Sequence, residues 1–479
     1  MTLHLFIFRR DLRLDDNLGL LAASRMCDVA RGDRLAPVFV FNPRQVDARL
    51  NPYRCALGIR MMVRCLLGLR GALPQLRFYE TRTRDDLDVL EAVLDHSVAG
   101  KAAGKAEGKA AMAVHFSSDI TPFARERDAA IEAWCERRGV ACHRHAAAEY
   151  CLIDPAEMPK PYRVFTPFLR RHFEDALRTA RGLHGSRRAE AGQSPPSVRF
   201  VAAPAVASLS LSPGQMADRY GEKRGKRGGG QTPREEALAI LGRIRSGEFS
   251  RYADTRDDLS LPPGVGTTGL SAYLKFGAVS VREAMAAATA PRARCPELAR
   301  QMMWRAFYDQ LMWHGLGERA WASPGCRATL WRGKRKDNRD GFGRWCRGET
   351  GEPLVDAAMR ELLETGRMHG RARMVAAVYL TRTLGVEWRL GERFFASRLV
   401  DYHPSANQGG WRWAAACGAD AMPAFRTLSP ARQARAHDRE GLYVLSGWRL
   451  RHHPKEHEGL RRRLRRGEPS PGAGRGQDP

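Results

Sequence analysis

Two stretches in the second half of this sequence carry residue types that can do chemistry together. Gly266-Thr-Thr-Gly-Leu-Ser271 is a small-residue turn ending in hydroxyls, suited to presenting backbone N–H and O–H groups to phosphates. Taken alone, six such residues fit a helix N-cap at least as well. Their surroundings add Arg256 upstream and Gln301, Trp304 and Arg305 downstream on one helical stretch. The second cluster is Met368-His-Gly-Arg-Ala-Arg-Met374, then Trp388, Asp401 and Ser405-Ala-Asn-Gln-Gly-Gly-Trp-Arg-Trp413. One reading is a Trp-rich helical core with a buried Arg373–Asp401 pair. Such a pair is a weak source of stability, so a function for it is worth seeking. Trp388, Trp411 and Trp413 beside a basic, Gly-rich stretch also suit stacking on an extruded base, worth about 1–3 kcal/mol per base. No Walker A, GxSxG, HExxH or strand-linked GxGxxG is present, so the common hydrolase, kinase and dinucleotide-dehydrogenase readings lack support.

The elements that must hold these residues are helical. Apolar residues at helical spacing fill Glu235–Ile244, Val281–Ala288, Pro296–Trp313, Pro353–Glu364, Arg371–Leu384 and Glu392–Val400, with almost no strand signal between them. They predict an all-α domain over 234–445. Residues 1–150 read differently. Short apolar runs at Leu3–Phe8, Ala36–Phe41, Leu76–Tyr79, Val114–Ser117 and Ala141–His145 alternate with helical stretches, the pattern of an α/β domain with a parallel sheet. A GKA-type repeat inside 98–111 packs no core and reads as a flexible insert. Residues 151–233 form a connection between the domains, and from Leu183 to Pro233 it turns Ser-, Pro- and Gly-rich, a linker or disordered insertion. Residues 446–479 are a basic tail.

Composition narrows the partners. The chain has 479 residues, and 79 Lys and Arg against 53 Asp and Glu give a net charge of +26, on a body that is 43% hydrophobic. A polyanion is the first partner to consider, nucleic acid ahead of an anionic membrane. The opening run Leu3–Phe8 is too short for a span or signal peptide. A soluble, intracellular, monomeric protein is expected, with nucleus and cytoplasm both open. Ten cysteines occur without a CxxC pair, which argues against a metal site.

The residues so far, with Phe8-Arg-Arg-Asp-Leu-Arg-Leu-Asp-Asp-Asn17, Tyr162-Arg-Val-Phe-Thr-Pro-Phe168, Trp304-Arg-Ala-Phe-Tyr308 and Gly348-Glu-Thr-Gly-Glu-Pro-Leu-Val-Asp-Ala-Ala-Met359, resemble the DNA photolyase and cryptochrome family over residues 1–445. The chain looks most like the class I cyclobutane pyrimidine dimer photolyases. The resemblance implies a Rossmann-like antenna domain and a helical domain holding FAD, from which an excited reduced flavin donates an electron to a flipped-out pyrimidine dimer and takes it back. By position it implies that Tyr252, Thr267, Thr268, Gly269, Leu270, Ser271, Gln301, Arg305, Arg373, Asp401, His403 and Asn407 bind the cofactor. Gln301, Trp304, Met374, Asn407 and Trp413 would be catalytic. Trp304, Arg371 and Trp413 would contact DNA, while Trp411, Trp388 and Trp331 would carry electrons.

Departures from the family pattern bear on the substrate. Gln301 stands where the cyclobutane enzymes have Glu, as in the (6-4) branch, but Gly370 and Met374 occupy the places of the two His residues that the (6-4) mechanism needs. Arg367 replaces a Trp, and His403 an Asp. Asn407 favours repair over plant-type receptors, which resemble this pattern with Asp there. Cyclobutane-dimer repair is therefore the leading reading, with a cryptochrome-type light receptor and a (6-4) photolyase as alternatives. Phe123-Ala124 replaces the Asn-Glu pair of folate-binding members, so a second chromophore is left open among folate, deazaflavin and flavin.

Overall fold

The computed structural model describes residues 1–102, 111–147, 150–190, 198–221, 230–315, 338–420 and 427–447. The N-terminal third forms a sheet from β1 (Thr2–Phe8), β2 (Arg34–Phe41), β3 (Arg77–Glu80), β4 (Ala111–Ser117), β5 (Ala141–His145) and β6 (Ser210–Leu211). Their order is β5-β4-β1-β2-β3-β6. All pairs are parallel except β3 with β6. Continuous apolar strands suit a sheet covered on both faces. Leu5 and Ile7 of β1 point into one cluster with Val38, Val114 and Phe116. Phe6 and Phe8 point into another, which runs on through Leu66 into Leu270, Met285 and Phe307 of the helical half.

The joint between the halves is the segment after β1. Leu12 N–H donates to Phe276 O at 3.1 Å, Arg13 to Gly277 O at 3.1 Å, and the buried Arg282 pairs with Asp16 at 3.2 Å. Gly277 has φ +69°, and a Cβ there would sit 2.0 Å from the Arg10 carbonyl oxygen. Only glycine fits this contact.

The expected linker needs correction. Helix Phe165–Glu190 runs into it, and residues 198–221 pack on the sheet. Leu35 N–H donates to Arg199 O and Val201 N–H to Leu35 O. Helix Pro213–Tyr220 starts on a Ser212–Gln215 capping box and stacks Tyr220 on Phe41, centroids 4.7 Å apart. The segment covers the free edge of β3, which an exposed sheet requires. Residues 191–197 and 222–229 lie outside the described set, as do 103–110 of the expected insert and 448–479 of the expected tail. Around the insert, helix Leu87–Ala102 enters it from one side and β4 begins at Ala111 on the other.

The helical half follows the periodicity, with two shifts. The expected Arg371–Leu384 helix is α-helical over Gly370–Val378 and then widens into a π-type turn at Tyr379–Thr383. The expected Glu392–Val400 helix begins earlier, at Trp388, and ends at Arg398. Among the described residues no helix is long and apolar enough to cross a membrane.

Candidate functional site

A cavity of about 1260 Å³ opens in the helical half. Into its wall fall Tyr252, Thr267, Thr268, Gly269, Leu270, Ser271, Gln301, Trp304, Arg305, Arg371, Arg373, Met374, Asp401, His403, Asn407, Trp411 and Trp413. These are the expected site residues except Trp388, which is not in the lining, and Trp331, which lies outside the described residues. The hydroxyl-bearing turn does not serve as a helix cap: the N-cap of helix Ser271–Phe276 is Leu270, with no side-chain hydrogen bond. Ser271 lies beside Asp401 and favours its charged form, Thr268 Oγ1 accepts from Leu270 N–H at 3.4 Å, and Thr267 and Thr268 both line the cavity wall.

Helix Pro296–Trp313 carries Gln301, Trp304, Arg305 and Tyr308 to the cavity, spaced at i, i+3, i+4 and i+7 as one helical face requires. Pro296 at the first position and Glu297 in the first turn suit a helix start. Trp304 is backed by Phe165, the rings stacked with centroids 3.7 Å apart. Arg305 is half-buried and the partial loss of solvent lowers its pKa, while its Nε has no partner among the described residues.

Two neutral amides are oriented by acidic side chains. Gln301 Nε2 donates to Glu297 Oε1 at 2.8 Å, and Asn407 Nδ2 donates to Glu392 Oε1 at 3.0 Å. Burial raises the Glu392 pKa. Arg373 grips Asp401 at 2.8 and 3.0 Å while its Nε donates to Met368 O at 2.9 Å. Burial alone would raise the Asp401 pKa, but Arg373 and Ser271 outweigh it and hold the carboxyl below its usual range.

His403 is the N-cap residue of helix Pro404–Ala414. Its Nε2 lies 2.7 Å from Asp309 Oδ1, the same oxygen that Ser405 Oγ bonds. Burial, then Arg305, pushes His403 down to about 4. The neutral ring keeps its proton on Nε2 for Asp309, and the buried Nδ1 has no partner among the described residues. The cavity thus holds an unpartnered donor on Arg305, an unpartnered acceptor on His403, a hydroxyl-rich turn and an ion pair, a set in which the donors suit phosphate and the acceptor suits a hydroxyl of a polyhydroxylated cofactor.

Trp411 is buried beside Phe395, centroids 4.9 Å apart, and Trp345, at 6.0 Å and edge-on. A Cβ on Gly391 would sit 2.2 Å from the Trp411 ring, so helix Trp388–Arg398 lies directly on it. Trp388 begins that helix, one turn before Gly391. Arg371 pairs with Asp257 and is not a free cation at the cavity mouth. In the N-terminal domain Phe123 is covered by Arg44 and Arg127, at 4.7 and 5.6 Å from its centroid. That place offers a folate neither the amide nor the carboxylate of the Asn-Glu pair.

Sequence reasoning missed the residues that orient others. Glu297 is four positions from Gln301 and was legible as a helical neighbour. Glu392, Asp309 and the rim residue Tyr443, which bonds Glu361, are far in sequence from what they touch and carry no local signal. His369 has no role assigned from the sequence. It lines the cavity, burial lowers it to about 4, and its Nδ1 accepts from Arg371 N–H at 3.2 Å to cap helix Gly370–Val378.

Residues 4–185 match the DNA photolyase family model and residues 298–448 match the FAD binding domain of DNA photolyase. A deoxyribodipyrimidine photo-lyase from Synechococcus is 31% identical, over 94% of this chain and 89% of the relative. The archaeal photolyase from Sulfolobus tokodaii, described with two FAD molecules and a novel light-harvesting cofactor, superposes with a TM-score of 0.68 at 28% identity, covering 98% and 96% of the two chains. A class III photolyase from Agrobacterium tumefaciens reaches the same TM-score at 26% identity, over 93% and 86%. These likenesses do not separate the classes. They do show that the chain belongs to the DNA photolyase family and is a photo-lyase with FAD as its cofactor.

Proposed function

We propose that the chain repairs cyclobutane pyrimidine dimers in DNA, driven by light. The observation that carries this reading is that Trp304, Trp413, Gln301 and Met374 line the same cavity as Arg373, Asp401 and Asn407, so a flipped-out dimer and the cofactor would be held within one enclosure. When bound, FAD supplies light absorption and the electron. The chain's residues supply the rest. Thr267–Ser271 and Arg305 would hold its phosphates and ribose, and Arg373 with Asp401 would flank the isoalloxazine. With its N–H given to Glu392, Asn407 would offer its amide oxygen to a flavin N–H without adding a negative charge. Trp304 and Trp413 would receive the extruded bases, at about 1–3 kcal/mol per stacked base, against a flipping cost that is smallest for a damaged pair.

The (6-4) alternative needs general acid chemistry. The cavity histidines His369 and His403 are both held down near 4 by burial, so they are neutral at pH 7. This supports the cyclobutane reading. For a second chromophore, Phe123 under Arg44 and Arg127 does not support the folate manner of binding, which favours a deazaflavin or flavin over folate. The test is illumination of the reduced, FAD-loaded protein with duplexes carrying a single cyclobutane dimer or a single (6-4) product. Restoration of intact pyrimidines is expected from the cyclobutane duplex. Restoration of the (6-4) duplex alone, or of neither, would overturn the proposal.

A further inference from the structure

Gln301 sits in helix Pro296–Trp313 one turn after Glu297, and both line the cavity together with Arg256. Arg256 forms an ion pair with the Glu297 carboxylate. Gln301 Nε2 donates to that same carboxylate oxygen, Oε1, at 2.8 Å. The side chains of Arg256 and Glu297 are only 26% and 23% exposed, so solvent screens this chain of contacts weakly.

An ionised carboxylate only accepts hydrogen bonds, while a glutamine amide has a donor end and an acceptor end. Its N–H end must therefore face Glu297. Turned over, the amide would set its carbonyl against the carboxylate, acceptor against acceptor, and forfeit a charge-assisted bond. Glu297, itself anchored by Arg256, thus removes the freedom that a glutamine normally has to present either end. What remains for the cavity is a fixed order, with the carbonyl oxygen away from Glu297 and the amide nitrogen toward it.

Pyrimidines differ in this order. Thymine and uracil carry an N3–H donor beside an O4 acceptor, whereas cytosine carries an N3 acceptor beside an N4 amino donor. We propose that Glu297 is a positioning residue that locks Gln301 as a reader of the imide edge, making the site selective for dimers of thymine or uracil over dimers containing cytosine. This rests on the cyclobutane-dimer reading given above. A free glutamine would serve both edges by rotating about its terminal bond. A pinned one serves only an edge that matches its order: thymine and uracil, with a carbonyl on each side of N3–H, can meet a fixed order from either side, whereas cytosine, with its amino donor on one side of N3 only, can meet it from one.

The test is dark binding, which separates recognition from photochemistry. Fluorescence anisotropy of the FAD-loaded protein is measured against duplexes carrying a uracil–uracil dimer, a freshly prepared cytosine–cytosine dimer, or no lesion. The two dimers both lack the C5 methyl group and differ at the edge in question. Wild-type protein is expected to prefer the uracil dimer about tenfold, the equivalent of one hydrogen bond. In Glu297→Gln the partner can rotate with Gln301, and the preference should fall to within about twofold. Glu297→Asp should retain part of it. A merely structural role for Glu297 would weaken both dimers alike, and FAD absorbance with melting temperature shows whether each variant is folded. A wild-type preference that survives intact in folded Glu297→Gln would overturn the inference and leave dimer repair standing. Wild-type protein that binds neither dimer better than undamaged duplex would overturn both.

Discussion

At the scale of single residues, the cavity is notable for its treatment of charge. Two amides face it, each with its nitrogen given to a carboxyl behind it, and two histidines are held neutral by burial. The fixed charges include the Arg373–Asp401, Arg256–Glu297 and Arg371–Asp257 pairs and Arg305. Asn407→Asp tests what the neutral amide contributes. The new carboxyl would lie beside Glu392, and two carboxyls sharing a site raise each other's pKa. When ionised, it would also oppose negative charge on reduced flavin. The midpoint potential for full, two-electron reduction should fall by roughly 30 mV, a tenfold change for two electrons, and repair under limiting reductant should fall with it. A redox titration of the purified variant decides the matter, and an unchanged or higher potential would remove Asn407 from this role.

At the scale of elements, the packing of helices Trp388–Arg398 and Pro404–Ala414 sets the route by which electrons could reach the cofactor from outside. Gly391 brings the first helix onto the Trp411 ring, with Trp388 one turn away. If this pair carries photoreduction, Trp411→Phe should abolish light-driven reduction of oxidised FAD by an external donor. Repair by enzyme reduced chemically beforehand should persist. The smaller ring leaves space under Gly391 and should destabilise the protein by roughly 1–3 kcal/mol, so a melting curve must accompany the spectra. Undiminished flavin bleaching in a folded variant would assign the route to other aromatics, of which Trp345 is in contact with Trp411. The same elements show what the sequence could disclose. Helices Val281–Ala288 and Pro296–Trp313 were legible to the residue because Ser280 and Glu283 form a capping box in the first, and Pro296 with Glu297 marks the start of the second. Residues 198–221 looked like a linker because Ser, Pro and Gly dominate their surroundings. Their order comes from pairing with β3 and Leu35, partners far off in the chain. The π-type turn at Tyr379–Thr383 likewise has no local signature. The cavity's residue set could be read by family resemblance, but the contacts that orient it could not: His403 and Asp309 are 94 positions apart.

At the scale of the whole molecule, the net charge of +26 at neutral pH grows as carboxylates protonate, and self-repulsion then works against the fold. The sheet holds a further point of acid sensitivity. His4 of β1, His115 of β4 and His143 and His145 of β5 share one face. His4 Nδ1 lies 2.9 Å from His115 Nε2, His115 Nδ1 lies 3.3 Å from His145 Nε2, and the His143 ring stacks on His115 at 4.6 Å. Asp33 faces His4 at 3.5 Å. Burial, then the neighbouring histidines, pushes His115 down to about 2. A histidine depressed in the fold stabilises it fully above its unfolded pKa of about 6.5. Below that value the unfolded chain binds a proton that the folded chain refuses, so stability falls as pH drops, by about 1.4 kcal/mol per pH unit for one such group. Other groups also titrate here, and Glu352, raised to about 7 by burial, acts in the opposite direction. A comparison of variants cancels them. His115→Phe should melt lower than wild type at pH 8, because His4 and His145 lose a partner. Its melting temperature should then decline less steeply between pH 6 and pH 4, the window between the unfolded pKa and the depressed one, so the two curves converge on acidification. Parallel curves over that window would mean that His115 takes up its proton in the folded protein as readily as in the unfolded one, and that the histidine ladder does not limit acid stability.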